Sequence, residues 1–196
     1  MTHQQPTARK RSSRFKLRFP ERDIRLWASR YSDPAEPPIE DQVAPRARKR
    51  KYLDRDGFLA ICAWKSPRTK SRCASNTTRM IEDTTRIALS TENEQLAIEV
   101  LTLLKGVSWP TASVILHFCR DGVYPILDFR ALWSLRCEVP PQYDCDFWWS
   151  FTEYFRALAH RTDLDARMLD RALWQFSKER QTVPARMERA TIPEEE

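Results

Sequence analysis

Three glycines in 196 residues set the strongest limit on what this chain can fold into. Tight hairpins, β-bulges and phosphate-cradling loops depend on glycine for positive φ. Three glycines therefore cannot furnish a β-sandwich, a dinucleotide-binding fingerprint or a P-loop. Helices make no such demand, and the residues between the glycines carry helical spacing almost throughout. At 41% hydrophobic and 11% aromatic residues the chain has ample material for a core, which excludes disorder of the whole. No apolar run approaches the roughly 20 residues that span a bilayer. Met1 to Arg14 is polar and basic, with no apolar signal region. A soluble, cytoplasmic and monomeric protein is the expectation. The five cysteines (Cys62, Cys73, Cys119, Cys137 and Cys145) show no C-x-x-C spacing, and His3, His117 and His160 stand far from any cysteine pair. They read as reduced packing cysteines, with no metal and no cofactor expected.

The net charge of +6 is unevenly placed. Residues 1–51 hold 14 Lys/Arg and 6 Asp/Glu, a net +8, and residues 52–196 hold 19 and 21, a net −2. Basic runs lie at Arg9 to Arg18 and Arg46 to Lys51. Inside the apolar part, Lys65, Arg68, Lys70, Arg72 and Arg79 follow one another with no acid between Asp56 and Glu82. That internal stretch, interleaved with Trp64, suits a polyanion. The run at the N-terminus alone is equally compatible with a solvated tail.

Four regions are expected. Residues 1–19 read as a disordered basic arm, and residues 20–51 as a short helix (Ile24, Trp27 and Tyr31 at helical spacing) followed by a Pro-rich basic linker. Residues 52–180 form a helical domain, and 181–196 a disordered tail. Within the domain the spacing predicts helices ending before Pro67, over Asn76 to Leu89, from a Thr91-Glu92-Asn93-Glu94 capping box through Leu104, over Trp109 to Cys119, over Phe129 to Leu135, over Asp144 to His160 and over Asp163 to Lys178.

Between two of these helices lies Leu104-Lys105-Gly106-Val107-Ser108-Trp109-Pro110-Thr111. Gly106 permits a sharp turn that points successive N–H groups and the next helix's N-terminus outward together, an anion site suited to a phosphate oxygen. A plain helical hairpin packed in a bundle reads the same residues equally well. After an eleven-residue helix and a short loop comes Tyr124-Pro125-Ile126-Leu127-Asp128, with the aspartate just before a new helix. Together these segments resemble the helix-hairpin-helix DNA glycosylase superfamily, the group with endonuclease III and the adenine-mismatch glycosylases. The resemblance is specific over Leu96 to Leu135, weaker over Tyr52 to Lys178 and absent from the first fifty residues.

The resemblance implies an all-α fold of two helical lobes with a base pocket between them, and double-stranded DNA as the partner. It places Asp128 in the catalytic position and Lys105, Gly106, Val107, Ser108 and Thr111 in the DNA-binding hairpin. Cleavage of an N-glycosidic bond builds positive charge on the sugar, and a carboxylate near C1′ stabilises it and orients or deprotonates water. The base must be flipped out and stacked. Trp64, Trp109 and Tyr124 are the first candidates for that pocket, with Trp148 and Trp149 behind them. Lys65 and Arg68 are candidate phosphate contacts, and Trp64 to Arg68 occupies a place comparable to the family's wedge. Arg130 binds phosphate or pairs with Asp128. An N-cap is the structural alternative for Asp128; His117 and His160 read as packed or surface residues.

Two departures matter. Lyase-competent members carry a lysine two residues past the hairpin's second glycine, and here that position is Pro110, while Ser108 replaces the second glycine. The four-cysteine iron–sulfur cluster of many relatives has no ligands in this chain. The implied activity is that of a monofunctional glycosylase, which hydrolyses the base and leaves an abasic site. A non-catalytic DNA-binding or adaptor protein is the alternative, and an all-α module whose arm binds RNA or an acidic partner is a third reading.

Overall fold

The computed structural model describes residues 14–34 and 36–182. The described residues form an all-helical protein with no strand. A 3₁₀ turn, Glu21–Asp23, leads into α1 (Ile24–Ser29). A π-helical turn, Ile39–Val43, runs directly into α2 (Ala44–Arg50). Then follow α3 (Arg55–Lys65), a 3₁₀ turn at Pro67–Thr69, α4 (Lys70–Ala74), α5 (Thr78–Ser90) and α6 (Glu94–Leu101). The remaining helices are α7 (Trp109–Cys119), α8 (Phe129–Ser134), α9 (Cys145–Thr162) and α10 (Ala166–Arg180). No helix among the described residues is long and apolar enough to cross a membrane.

Short polar side chains set most helix starts. Asp54, Thr77, Asp128, Asp144 and Asp165 each accept a hydrogen bond from a backbone N–H in the first turn of α3, α5, α8, α9 and α10. Each such cap contributes about 1 kcal/mol. The Thr91 box does not cap α6: Asn93 does, accepting from Leu96 N at 3.0 Å, while Thr91 accepts from Asn93 N. Helix α6 also ends three residues before Leu104, in a series of tight turns that leads to α7.

Helix α7 is the axis of the fold. Thr111 through Cys119 are all buried, as expected of a helix that is apolar on every face. It packs against α2, α3, α5 and α6. On the other side of the molecule α10 packs on α1 and α8, with α9 alongside, and Trp148, Phe151 and Phe155 of α9 are fully buried. Cys62, Cys73, Cys119 and Cys137 are free and buried, the packing role expected of them.

Three expectations about the chain ends require correction. Residues 14–19 are not part of an arm. Phe15 and Phe19 are buried, and Lys16 N and Arg18 N donate to the carbonyls of Leu135 and Ser134, both at 2.9 Å. Phe15 sits against Phe151, ring centroids 5.4 Å apart, so aromatic burial draws this basic segment onto the body. The Pro-rich segment 33–45 is not an extended linker either: residues 37–50 are continuously helical, Pro38 directly precedes the π-turn and Pro45 follows it at the second position of α2. The basic run that follows is α2, and two of its cations are spent locally, Arg50 on Asp54 at 3.0 Å and Lys51 on Asp121 at 2.9 Å. The expectations for residues 1–13 and 183–196 lie outside the described residues.

Segment 36–40 is fastened to α10 by charge. Glu36, 2% exposed, pairs with Arg167 and Arg171; Glu40 Oε1 lies 2.8 Å from Arg167 Nε, and Asp170 pairs with Arg167 as well. Removing a partner from a buried pair strands the remaining charge. Arg167→Met is expected to lower the unfolding free energy by about 3–5 kcal/mol in urea denaturation. Arg22→Met, which touches only a surface pair with an 85% exposed arginine side chain, should leave it within about 0.5 kcal/mol.

Candidate functional site

The turn between α6 and α7 has Gly106 at φ +82°. A Cβ there would lie 2.6 Å from Cys73 Sγ and 2.9 Å from Cys73 N, so only glycine permits α4 to come this close. Asn76, 6% exposed, fixes the contact: its Nδ2 donates to the carbonyls of Cys73 and Lys105, and its Oδ1 accepts from Lys105 N, all at 2.9 Å. Arg55 closes the other side, donating to the carbonyls of Ala74 and Asn76 at 2.6 Å. Helix α4 carries Lys70 and Arg72, and the Cβ of Arg72 lies 3.2 Å from the Cβ position of Gly106.

The contact sets Arg72 beside the Lys105–Gly106 turn. Arg68, Lys70, Arg72 and Lys105 are exposed, and none of the four forms an ion pair within the described residues. Next to them α7 begins at Ser108, an N-cap that makes no side-chain hydrogen bond. Of the sequence-selected turn residues, Lys105 and Ser108 are exposed and Gly106 is half-buried. Val107 and Thr111 are buried and face the core.

Asp128 is placed by α7. Ser113, fully buried, accepts from Leu127 N at 2.8 Å and donates to the Pro110 carbonyl at 2.7 Å. One turn further along α7, His117 Nδ1 meets the Tyr124 carbonyl at 2.6 Å. These two bonds lace the extended segment 124–127 along α7 and deliver Asp128 near its first turns. The Asp128 carboxylate is shared: Oδ1 accepts from Arg130 N at 2.8 Å, and Oδ2 pairs with Lys65 Nζ at 2.8 Å, from the last turn of α3. The two side chains are 18% and 12% exposed. Lys65 therefore turns inward to the carboxylate, away from the basic stretch in which the sequence placed it. Burial works to raise the Asp128 carboxyl. The Lys65 ammonium, its hydrogen bond, and the Arg130 N–H and guanidinium outweigh that and hold it below the usual range.

Arg130 lies over the rings of Phe129 and Trp174, at 5.1 and 5.6 Å, and its Nη1 is buried with no hydrogen-bond acceptor. It influences Asp128 by charge, but the ion-pair partner of that carboxylate is Lys65. Tyr143, half-buried, has its hydroxyl pushed up to about 12 by burial and by the nearby Asp128 carboxylate.

The aromatic candidates separate. Tyr124 is buried in a polar clasp: its hydroxyl donates to Glu94 at 2.6 Å and accepts from Arg120 at 2.8 Å, and its ring lies parallel to Trp148. It is structural. Trp64 spends its Nε1–H on Asp33 at 2.9 Å and sets its ring edge-on to Phe118. Trp109 is half-buried at the first position of α7, Trp148 is fully buried and Trp149 is exposed. His117 is buried and His160 exposed, as the spacing suggested. The sequence reading missed Asn76, Ser113 and Tyr143, since a polar residue that serves a distant backbone leaves no local pattern.

Chemically, a carboxylate held ionised in a half-buried place is a weak proton acceptor and a strong stabiliser of a nearby cation. Comparison with protein-family models, curated proteins and solved structures finds no match to this chain.

Two outcomes are expected. Asn76→Ala strands the Lys105 backbone groups and should cost about 1–3 kcal/mol in denaturant unfolding. Lys65→Met removes the largest influence opposing burial at Asp128 and leaves only the Arg130 N–H and guanidinium, so its carboxyl midpoint in a ¹³C NMR titration should rise above the wild-type value. In the wild type the depressed carboxyl adds stability above its unfolded pKa, lost as pH falls through the folded value. In Lys65→Met that contribution shrinks, so the destabilisation should be largest at neutral pH and fade as pH falls through the wild-type carboxyl value.

Proposed function

We propose that the chain is a monofunctional DNA glycosylase that flips a damaged or modified base out of duplex DNA and removes it by hydrolysis. The observation that carries this reading is an ionised carboxylate, Asp128, tethered through Ser113 to the helix whose uncapped start adjoins unpaired cations. Phosphates would lie against Lys105, Arg72, Lys70 and Arg68 and against the free amides at the start of α7. The cation developing on the deoxyribose would be stabilised by Asp128. Because that carboxyl titrates low, its role is electrostatic and orienting, with water as nucleophile. Tyr143 offers a ring and a hydroxyl beside the carboxylate. Lys65 Nζ is engaged by the Asp128 carboxylate at 2.8 Å, so it is not free to attack the sugar.

A second reading has an observation of its own. Both oxygens of Asp128 already have partners, and Gly106 is seated on α4. A non-catalytic DNA-binding protein with an N-capping, ion-paired aspartate has the same geometry.

Incubation with duplexes carrying assorted lesions, followed by alkali, separates them. Base excision predicts strand breaks only after alkali, a loss of about 10²-fold or more in Asp128→Asn, and no covalent adduct with borohydride. Breaks that survive Asp128→Asn remove that residue from catalysis, and a borohydride adduct contradicts the hydrolytic route. Salt-dependent binding without release of any base favours the second reading. Under both, Lys105→Ala and Arg72→Ala should each reduce the slope of log K against log salt by about 1.

A further inference from the structure

The far end of α7 borders a cavity of about 350 Å³, within the roughly 300–1,000 Å³ usual for small-molecule sites. It lies between the π-turn and α2 on one side, the Gly122–Val123 loop and the start of α10 on the other. Its position separates it from Asp128: His117, in its wall, stands eight residues along α7 from Trp109, a rise of about 12 Å. Ala44, Phe118, Val123 and Ala166 supply apolar walls.

The polar groups in the wall are few and unequal. His117 is 6% exposed, and its Nδ1 faces the Tyr124 carbonyl, so that nitrogen carries the hydrogen and donates. Nε2 is then an acceptor, and no described residue donates to it. Burial keeps the ring neutral, against the opposing charge of Asp170. Arg167 and Glu40 are paired to each other at 2.8 Å and are spent. Asp165 uses one oxygen to cap α10 and has the other free, and Arg48 forms no ion pair among the described residues. Two cations face two anions, so the lining is neutral overall. Arg48 and Asp165 are exposed and of opposite sign, so the attraction of either for a net charge on the ligand is offset by the repulsion of the other. A purely apolar ligand would leave the His117 acceptor unpaired.

We propose that this cavity binds a free, uncharged nitrogen heterocycle of nucleobase size, with a ring N–H donated to His117 Nε2, an amino or second N–H group on Asp165, and a carbonyl oxygen on Arg48. The site is independent of base excision at Asp128 and stands or falls separately.

The full chain is titrated with adenine, cytosine, uracil and hypoxanthine, with glucose and inorganic phosphate in parallel, while the His117 imidazole ¹⁵N resonances are followed by NMR. At least one heterocycle should shift the Nε2 resonance saturably, and glucose and phosphate should not. Arg48→Ala, at an exposed position, should weaken that binding about ten-fold. Ala166→Trp, which fills the cavity from the first turn of α10, should abolish it with the thermal midpoint retained, and Asp128→Asn should leave it unchanged. The proposal is overturned if no heterocycle moves Nε2, if glucose or phosphate moves it equally, or if binding survives Ala166→Trp.

Discussion

A carboxylate that must stay charged in a half-buried position needs a permanent positive partner, and the Lys65–Asp128 pair meets that requirement. The pair also constrains the architecture: Lys65 sits in the last turn of α3 and Asp128 at the cap of α8, so it ties two segments 63 residues apart. Desolvation alone would push the aspartate toward its neutral form. The lysine reverses that, and the Arg130 N–H adds to it. The same arrangement that caps α8 thus fixes a negative charge at one place.

The second constraint is steric. Gly106 has no side chain to keep α4 away, and Asn76 converts the approach into three hydrogen bonds. Without that contact Arg72 and Lys105 would belong to separate loops. With it they meet at one turn, and Arg68 and Lys70, exposed and without an ion pair among the described residues, lie close by in the chain. The first 51 residues carry a net charge of +8. Yet part of that segment is consumed in structure, through Arg50, Lys51 and the burial of Phe15 and Phe19. The cations left free near α7 come mainly from the internal stretch, on a body that is slightly acidic overall.

Much of this was legible in the sequence. The scarcity of glycine and the helical spacing gave the all-α class, and the limits of α7 follow from Trp109-Pro110 and the apolar run to Cys119. The N-cap that the sequence offered as the structural alternative for Asp128 is present at the start of α8. What escaped were features decided by distant partners. Prolines 38 and 45 read as linker residues but flank the π-turn within a continuous helical segment. Lys65 read as a surface phosphate contact because its sequence neighbours are basic, whereas its spatial neighbour is a buried carboxylate. Tyr124 read as a base-stacking ring, and only the convergence of Glu94, Arg120 and Trp148 makes it core. Ser113 and Asn76 act on backbone 14 and 29 residues away, beyond the reach of any local periodicity.

The functional reading rests on whether Asp128 supports cleavage of a glycosidic bond. Mass spectrometry of free bases released from normal and heavily modified genomic DNA, with wild type and Asp128→Asn side by side, measures this directly. Release of a defined base by the wild type, absent in Asp128→Asn although that variant binds DNA with unchanged salt dependence, is the predicted result. Equal release by both proteins, or none from any DNA at protein concentrations that saturate binding, would contradict it.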